Sequence, residues 1–155
     1  MKPVSLSTMR WKLFLLGFFK IPMIHYVRPR IISCDDNNIQ IKIPFRRRTK
    51  NHLNSMYFGA LTIGADLSAG LMVFYACGRM NKKLSLAFKS VKGEFIKRPE
   101  SAVFFNCSQG VFVREKLEEA IRLNERINFT LSVIATNDTN ECVATFEMEV
   151  SIRVY

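Results

Sequence analysis

Apolar residues recur along this chain with two different periods. In NIQIKIP (Asn38–Pro44), single polar residues separate Ile39, Ile41 and Ile43, the period of a half-buried strand, and Pro44 ends the run. The same alternation returns in four stretches of the second half: Leu84 to Phe88, Ala102 to Cys107, Ile127 to Val133, and Phe146 to Val154. Between the second and third of these, VREKLEEAIRLN (Val113–Asn124) changes period: Val113, Leu117, Ala120 and Ile121 make one helical stripe with charges opposite. NDTNE (Asn137–Glu141) has turn chemistry between the last two strands. From about Met56 to Cys77 the chain is too long and too rich in Ala, Leu and Met for a strand, so it predicts a long buried helix, with Asn51, Asn54 and Ser55 as caps before it. On that helix Ala60, Gly64 and Ser68 form a small-residue face that another backbone could approach.

The N-terminal stretch WKLFLLGFFKIPMI (Trp11–Ile24) is apolar but interrupted by Lys12 and Lys20, too short for a span and without a cleavage site. It predicts an amphipathic helix within a helical segment of residues 1–28 docked on the domain, with weak membrane-surface contact as the lesser alternative. Pro29 marks the break after it. The expected order is a helix, one or two strands, the long buried helix, then four strands with a helical insertion. That is an α+β domain, an antiparallel sheet with its helices on one face, spanning 1–155 as a single unit.

Charge alters this picture in one place. The net charge of +10 is concentrated at the start: residues 1–50 carry eleven Lys and Arg against two Asp, while residues 51–155 carry twelve against eleven acids. Such a bias attracts anions of several kinds. Zinc-finger spacing, an aromatic ribonucleoprotein signature and a helix-turn-helix are all missing, so no nucleic-acid partner is expected. Cys34, Cys77, Cys107 and Cys142 form no Cys-x-x-Cys pair, which argues against a metal site and suits free thiols in a reducing cytoplasm.

The chemistry centres on one residue. SMYFGALTIGADLSAGLMVFYACG (Ser55–Gly78) contains a single charged side chain, Asp66. A carboxylate in such a run neutralises, pairs or accepts hydrogen bonds, because leaving it charged and unpaired is costly. The two histidines, His25 and His52, belong to no hydrolase motif, and no nucleotide-binding glycine loop occurs.

The order of elements, together with NHLNSMYFGALTIGADLSAG (Asn51–Gly70), resembles the hotdog-fold thioesterases, specifically the phenylacetic-acid-pathway type of acyl-CoA thioesterase and its relatives. In that family an antiparallel sheet wraps a long central helix that carries a catalytic Asp or Glu. The family pattern places an Asn six positions before a His-Gly-Gly and an acid nine positions after the His. Here Asn51, Gly59 and Asp66 keep the spacing, while Tyr57 stands in the place of the His and Phe58 in that of the first Gly.

The resemblance implies acyl-CoA hydrolysis, with coenzyme A arriving as part of the substrate and no other cofactor. Asp66 would act as general base or nucleophile, the backbone N–H groups near Phe58 and Gly59 would hold the oxyanion, and Asn51 would orient water or thioester. Tyr57 and Phe58 would flank the acyl group, and Arg46, Arg47 and Arg48 would meet the coenzyme A phosphates. Relatives build the acyl site between subunits, so a homodimer or tetramer is expected. The alternative is a non-catalytic hotdog protein that binds acyl groups or assembles, with Asp66 accepting hydrogen bonds across a dimer interface and Asn51 capping the helix.

Overall fold

A computed structural model describes residues 4–155. Six strands form one antiparallel sheet in the order β1-β2-β4-β5-β6-β3: β1 (Arg30–Cys34), β2 (Ile39–Ile43), β3 (Leu84–Phe95), β4 (Val103–Cys107), β5 (Ile127–Thr136) and β6 (Cys142–Val154). Across this sheet runs α3 (Phe58–Arg79), and α4 (Gly110–Leu123) packs beside it over β5 and β6. The isoleucines of β2 and the apolar set of β5 (Phe129, Leu131, Val133, Ala135) are buried in strict alternation, as their period requires. A sheet wrapped on a long central helix is the hotdog fold.

The helix α3 begins two residues later than its composition suggests and ends two residues later. Its N-cap is Tyr57, which makes no side-chain capping bond. Asn51 and Ser55, the expected caps, stabilise the preceding loop instead: the Asn51 side-chain oxygen accepts from the Leu53 and Ser55 N–H groups at 2.9 and 3.1 Å. This arrangement satisfies a tight turn and leaves the helix N-terminus without a side-chain acceptor.

The small face of α3 also receives a different occupant from the one expected. A Cβ on Gly64 would overlap the ring of Phe105, which is fully buried on β4. The glycine therefore makes room for an aromatic side chain rather than for a backbone. Ala60 and Ser68 are buried on either side, and the Ser68 hydroxyl donates to the Ala65 carbonyl at 3.1 Å.

The N-terminal segment is two helices rather than one: α1 (Leu6–Leu15) and α2 (Pro22–Val27), separated by a π turn over Leu16–Lys20. Ile21 precedes proline, so it leaves the helical region, and Pro22 starts the next helix. Arg10 ties α1 to the sheet by donating through Nε and Nη2 to the Ile31 carbonyl at 3.0 and 2.9 Å.

The edge strand β3 pairs with β6 from Leu84↔Val154 to Phe95↔Ala144, well beyond the alternating stretch that marks it in the sequence. Its register shifts between Phe88 and Ser90, leaving Lys89 as the extra residue of a bulge.

Candidate functional site

The middle of α3, the loop before it and the β3 bulge converge on one cavity of about 800 Å³. Gly59, Ile63 and Asp66 face it from α3, at the spacing of one helical face. Phe88, Lys89, Ser90 and Val91 line it as consecutive residues around the bulge: the Phe88 ring reaches Gly70 of α3, while the Ser90 hydroxyl donates to Glu149 Oε2 and Lys89 faces Glu149. Met148 of β6 contributes from the next strand, and Met23, Tyr26 and Val27 of α2 form a further wall. The lining is largely aliphatic and aromatic, the character of a site for an apolar chain.

Asp66 is the one acidic residue in that lining. Among the described residues no donor reaches its carboxylate, and burial alone pushes its carboxyl up to about 6. Arg48 and Lys89 share the cavity but are engaged elsewhere. Arg48 donates through Nη1 to the Tyr26 carbonyl at 3.1 Å and lies over the Tyr26 ring, and Lys89 faces Glu149 at 4.0 Å. The carboxyl is thus desolvated without being neutralised by a partner, which raises its proton affinity into the range useful for a base near neutral pH.

Seven residues before Asp66, the first turn of α3 opens into the same space. The N–H groups of Phe58 and Gly59 have no acceptor among the described residues, as the first turn of a helix without a side-chain cap requires. At 1.5 Å per residue these donors sit about 10 Å from the Asp66 backbone along the axis, and the Asp66 side chain leans toward them. The Tyr57 ring lies so close over Gly59 that a Cβ there would overlap it and push the half-exposed ring aside.

Asp66, Gly59, Phe58, Tyr57 and Arg48 therefore meet in one cavity, whereas Asn51, Arg46 and Arg47 do not line it. The Asn51 side chain is used by its loop, and Arg46 and Arg47 are exposed. Sequence reasoning missed the α2 wall and the β3 bulge, both of which reach the site through the fold rather than through neighbouring sequence. Burial raises the Cys34 and Cys107 thiols to about 11, so neither is a nucleophile near neutral pH. No group of His, Cys, Asp or Glu suited to a metal occurs among the described residues.

Comparison with protein families matches residues 10–154 to a domain of unknown function, DUF4442. The chain belongs to the DUF4442 family. No curated protein matches it in sequence. Solved structures share the fold of this DUF4442 protein at low identity. One, from Chlorobaculum tepidum and of unknown function, has a TM-score of 0.85 at 13% identity, covering 97% of this chain and 98% of its own. A Pseudomonas aeruginosa protein of unknown function, named "Probable Thioesterase", has a TM-score of 0.82 at 18% identity, covering 99% and 98%. A thioesterase from Haemophilus influenzae has a TM-score of 0.71 at 10% identity, covering 97% and 92%.

Proposed function

We propose that this DUF4442 protein hydrolyses acyl thioesters, with Asp66 as the general base. The observation that carries the proposal is an unpaired, half-buried carboxyl, raised to about 6, facing an apolar cavity beside the free amides of a helix N-terminus. Thioester hydrolysis asks for those parts. The Asp66 carboxylate takes a proton from water as its oxygen adds to the thioester carbonyl. The Phe58 and Gly59 amides hold the resulting oxyanion, aided by the positive end of the helix dipole. Collapse of the adduct breaks the C–S bond, and the thiolate leaves with the proton that Asp66 had taken. The products are a carboxylic acid and a free thiol.

Coenzyme A is the thiol the proposal favours. The basic stretch Arg46–Lys50 immediately precedes the site, and Arg48 lines the cavity itself. The thioesterase named among the solved structures of the same fold supports the same chemistry.

A homodimer is part of the proposal. Among the described residues the β3 edge has only β6 as a partner, and its outer half is exposed over Lys89–Phe95, including Val91 and Phe95. Phe58 beside it is 58% exposed, so a second copy would complete the open side of the cavity. Light scattering should give about twice the 17.9 kDa chain mass.

The test of hydrolysis is direct: purified protein is offered acyl-CoAs of increasing chain length while a thiol reagent records free coenzyme A. Thiol release that saturates with substrate supports the proposal. Tight acyl-CoA binding without release would assign the protein to the non-catalytic, acyl-binding alternative.

A further inference from the structure

The N-terminal helices leave uncovered an apolar surface that the cavity does not explain. Trp11, Phe14 and Phe18 stack in a row along α1 and the π turn, with ring centroids 5.6 and 5.8 Å apart, and Phe19 packs edge-on against Phe18 at 4.9 Å. These four rings are between 45% and 69% exposed. A helix docked by its apolar face would bury them; here Met9, Leu13 and Gly17 do the docking and the aromatic row points outward. Contiguous exposed aromatics of this kind mark a surface that is covered in use.

The segment's own charge is of one sign. Residues 1–34 contain six Lys and Arg and no Asp or Glu. Phe14 also borders a second cavity, of about 740 Å³, between α1, α2 and β1, whose lining carries Arg10, Arg28 and Arg30. Exposed Trp and Phe on a segment whose own charges are all cationic is the chemistry of a helix that lies in the interface of an anionic bilayer: the rings enter the headgroup layer and the cations meet the phosphates.

We propose that the segment over residues 6–27 is a docking surface for an anionic lipid bilayer. Met23 and Tyr26 of this segment are exposed and also line the Asp66 cavity, so a bilayer seated here lies beside the cavity rim. If the proposed hydrolysis holds, the substrates reached this way are long-chain acyl thioesters partitioned at the membrane; the docking itself does not depend on that reading.

Trp11 is the only tryptophan in the chain, so its emission reports the surface without labelling. The probe is a titration of the full chain with vesicles of phosphatidylcholine alone and of phosphatidylcholine with phosphatidylglycerol, read by emission and by co-sedimentation. A blue shift with co-sedimentation on the anionic vesicles, weakened by salt, is the expected result. Phe18→Ser with Phe19→Ser should abolish both while circular dichroism stays unchanged, since both rings are exposed. Lys12→Gln and Lys20→Gln should each lower partitioning about fivefold. Unshifted emission on anionic vesicles would overturn the proposal, and so would equal binding to neutral ones. A blue shift that follows protein concentration without vesicles would overturn it too, by showing that a second copy covers the row. None of these readouts involves thioester turnover, so failure here and failure of the proposed function are distinguishable.

Discussion

Replacing Asp66 with Asn isolates the energetic consequence of keeping an acid in the wall of an apolar cavity. In the unfolded chain the carboxyl titrates near its ordinary value of 3.8, and in the fold burial raises it to about 6. The folded protein therefore holds the proton more tightly than the unfolded one. The sign follows: Asp66 costs no stability below the unfolded value, and the cost grows as pH rises through the window between the two values. A shift of about two units corresponds to about 3 kcal/mol of destabilisation, fully present above the folded value. Between about pH 4 and about pH 8 the wild type should lose about 2.5 kcal/mol through this group, and Asp66→Asn should lose none.

Thermal unfolding followed by circular dichroism at both pH values checks the expectation. Glu119 and Glu141, lowered by Lys116 and Lys97, add a pH dependence of the opposite sign at the acid end, so the informative quantity is the difference between wild type and variant. The variant should gain on the wild type by about 5–10 °C in midpoint as pH rises across the window, for a domain of this size. A difference that does not change with pH would mean that Asp66 is solvated or paired in the folded protein, and the argument from its burial would fail.

The same group should set the rate profile: kcat/KM for an acyl-CoA should rise with pH through about 6, where Asp66 loses its proton, and a profile flat across that point would remove the base. Gly64→Ala should cost about 1–3 kcal/mol by forcing a methyl group into the Phe105 ring, whereas Gly78→Ala, whose Cβ meets nothing within 4 Å, should be neutral or gain about 0.5–1 kcal/mol; urea unfolding of the pair separates packing from helix propensity. Arg48→Ala should raise KM for acyl-CoA about tenfold with kcat nearly unchanged, and Arg46→Ala and Arg47→Ala should do less because they lie outside the cavity. Equal loss on a short thioester lacking the nucleotide would instead assign Arg48 to holding α2 through Tyr26.

Much of the fold was legible wherever one face of an element is buried and the other is wet. The isoleucines of β2, the alternation of β5 and the Val113, Leu117, Ala120 stripe of α4 are such cases, and each element formed where its period placed it. Elements without that contrast were hidden. β1 (RIISC) buries only Ile31 fully, and the outer half of β3, including Lys92, Gly93 and Glu94, is exposed on both faces, so neither writes a period into the sequence. The N-terminal segment docks as its apolar residues require, but Ile21 and Pro22 divide into two helices what its composition presents as one.

The site divides along the same line. Asp66 stood out because it is the one charge in an apolar run, and its spacing from Gly59 places both on one cavity. The contributions of Tyr26, Phe88 and Lys89 depend on a bulge and on a helix packed from a distant part of the chain, and no local signal carries that. Asn51 shows the converse. Its spacing matched a family pattern, yet the structure commits its side chain to the loop.

The most direct test of the account is the turnover of Asp66→Asn on the best acyl-CoA substrate, measured beside its oligomeric mass and unfolding midpoint. The account requires a folded variant of unchanged mass whose kcat falls by about 10²–10⁴, the contribution of a positioned general base. A folded variant that turns over at the wild-type rate would contradict it and leave Asp66 as a structural acid in an acyl-binding cavity.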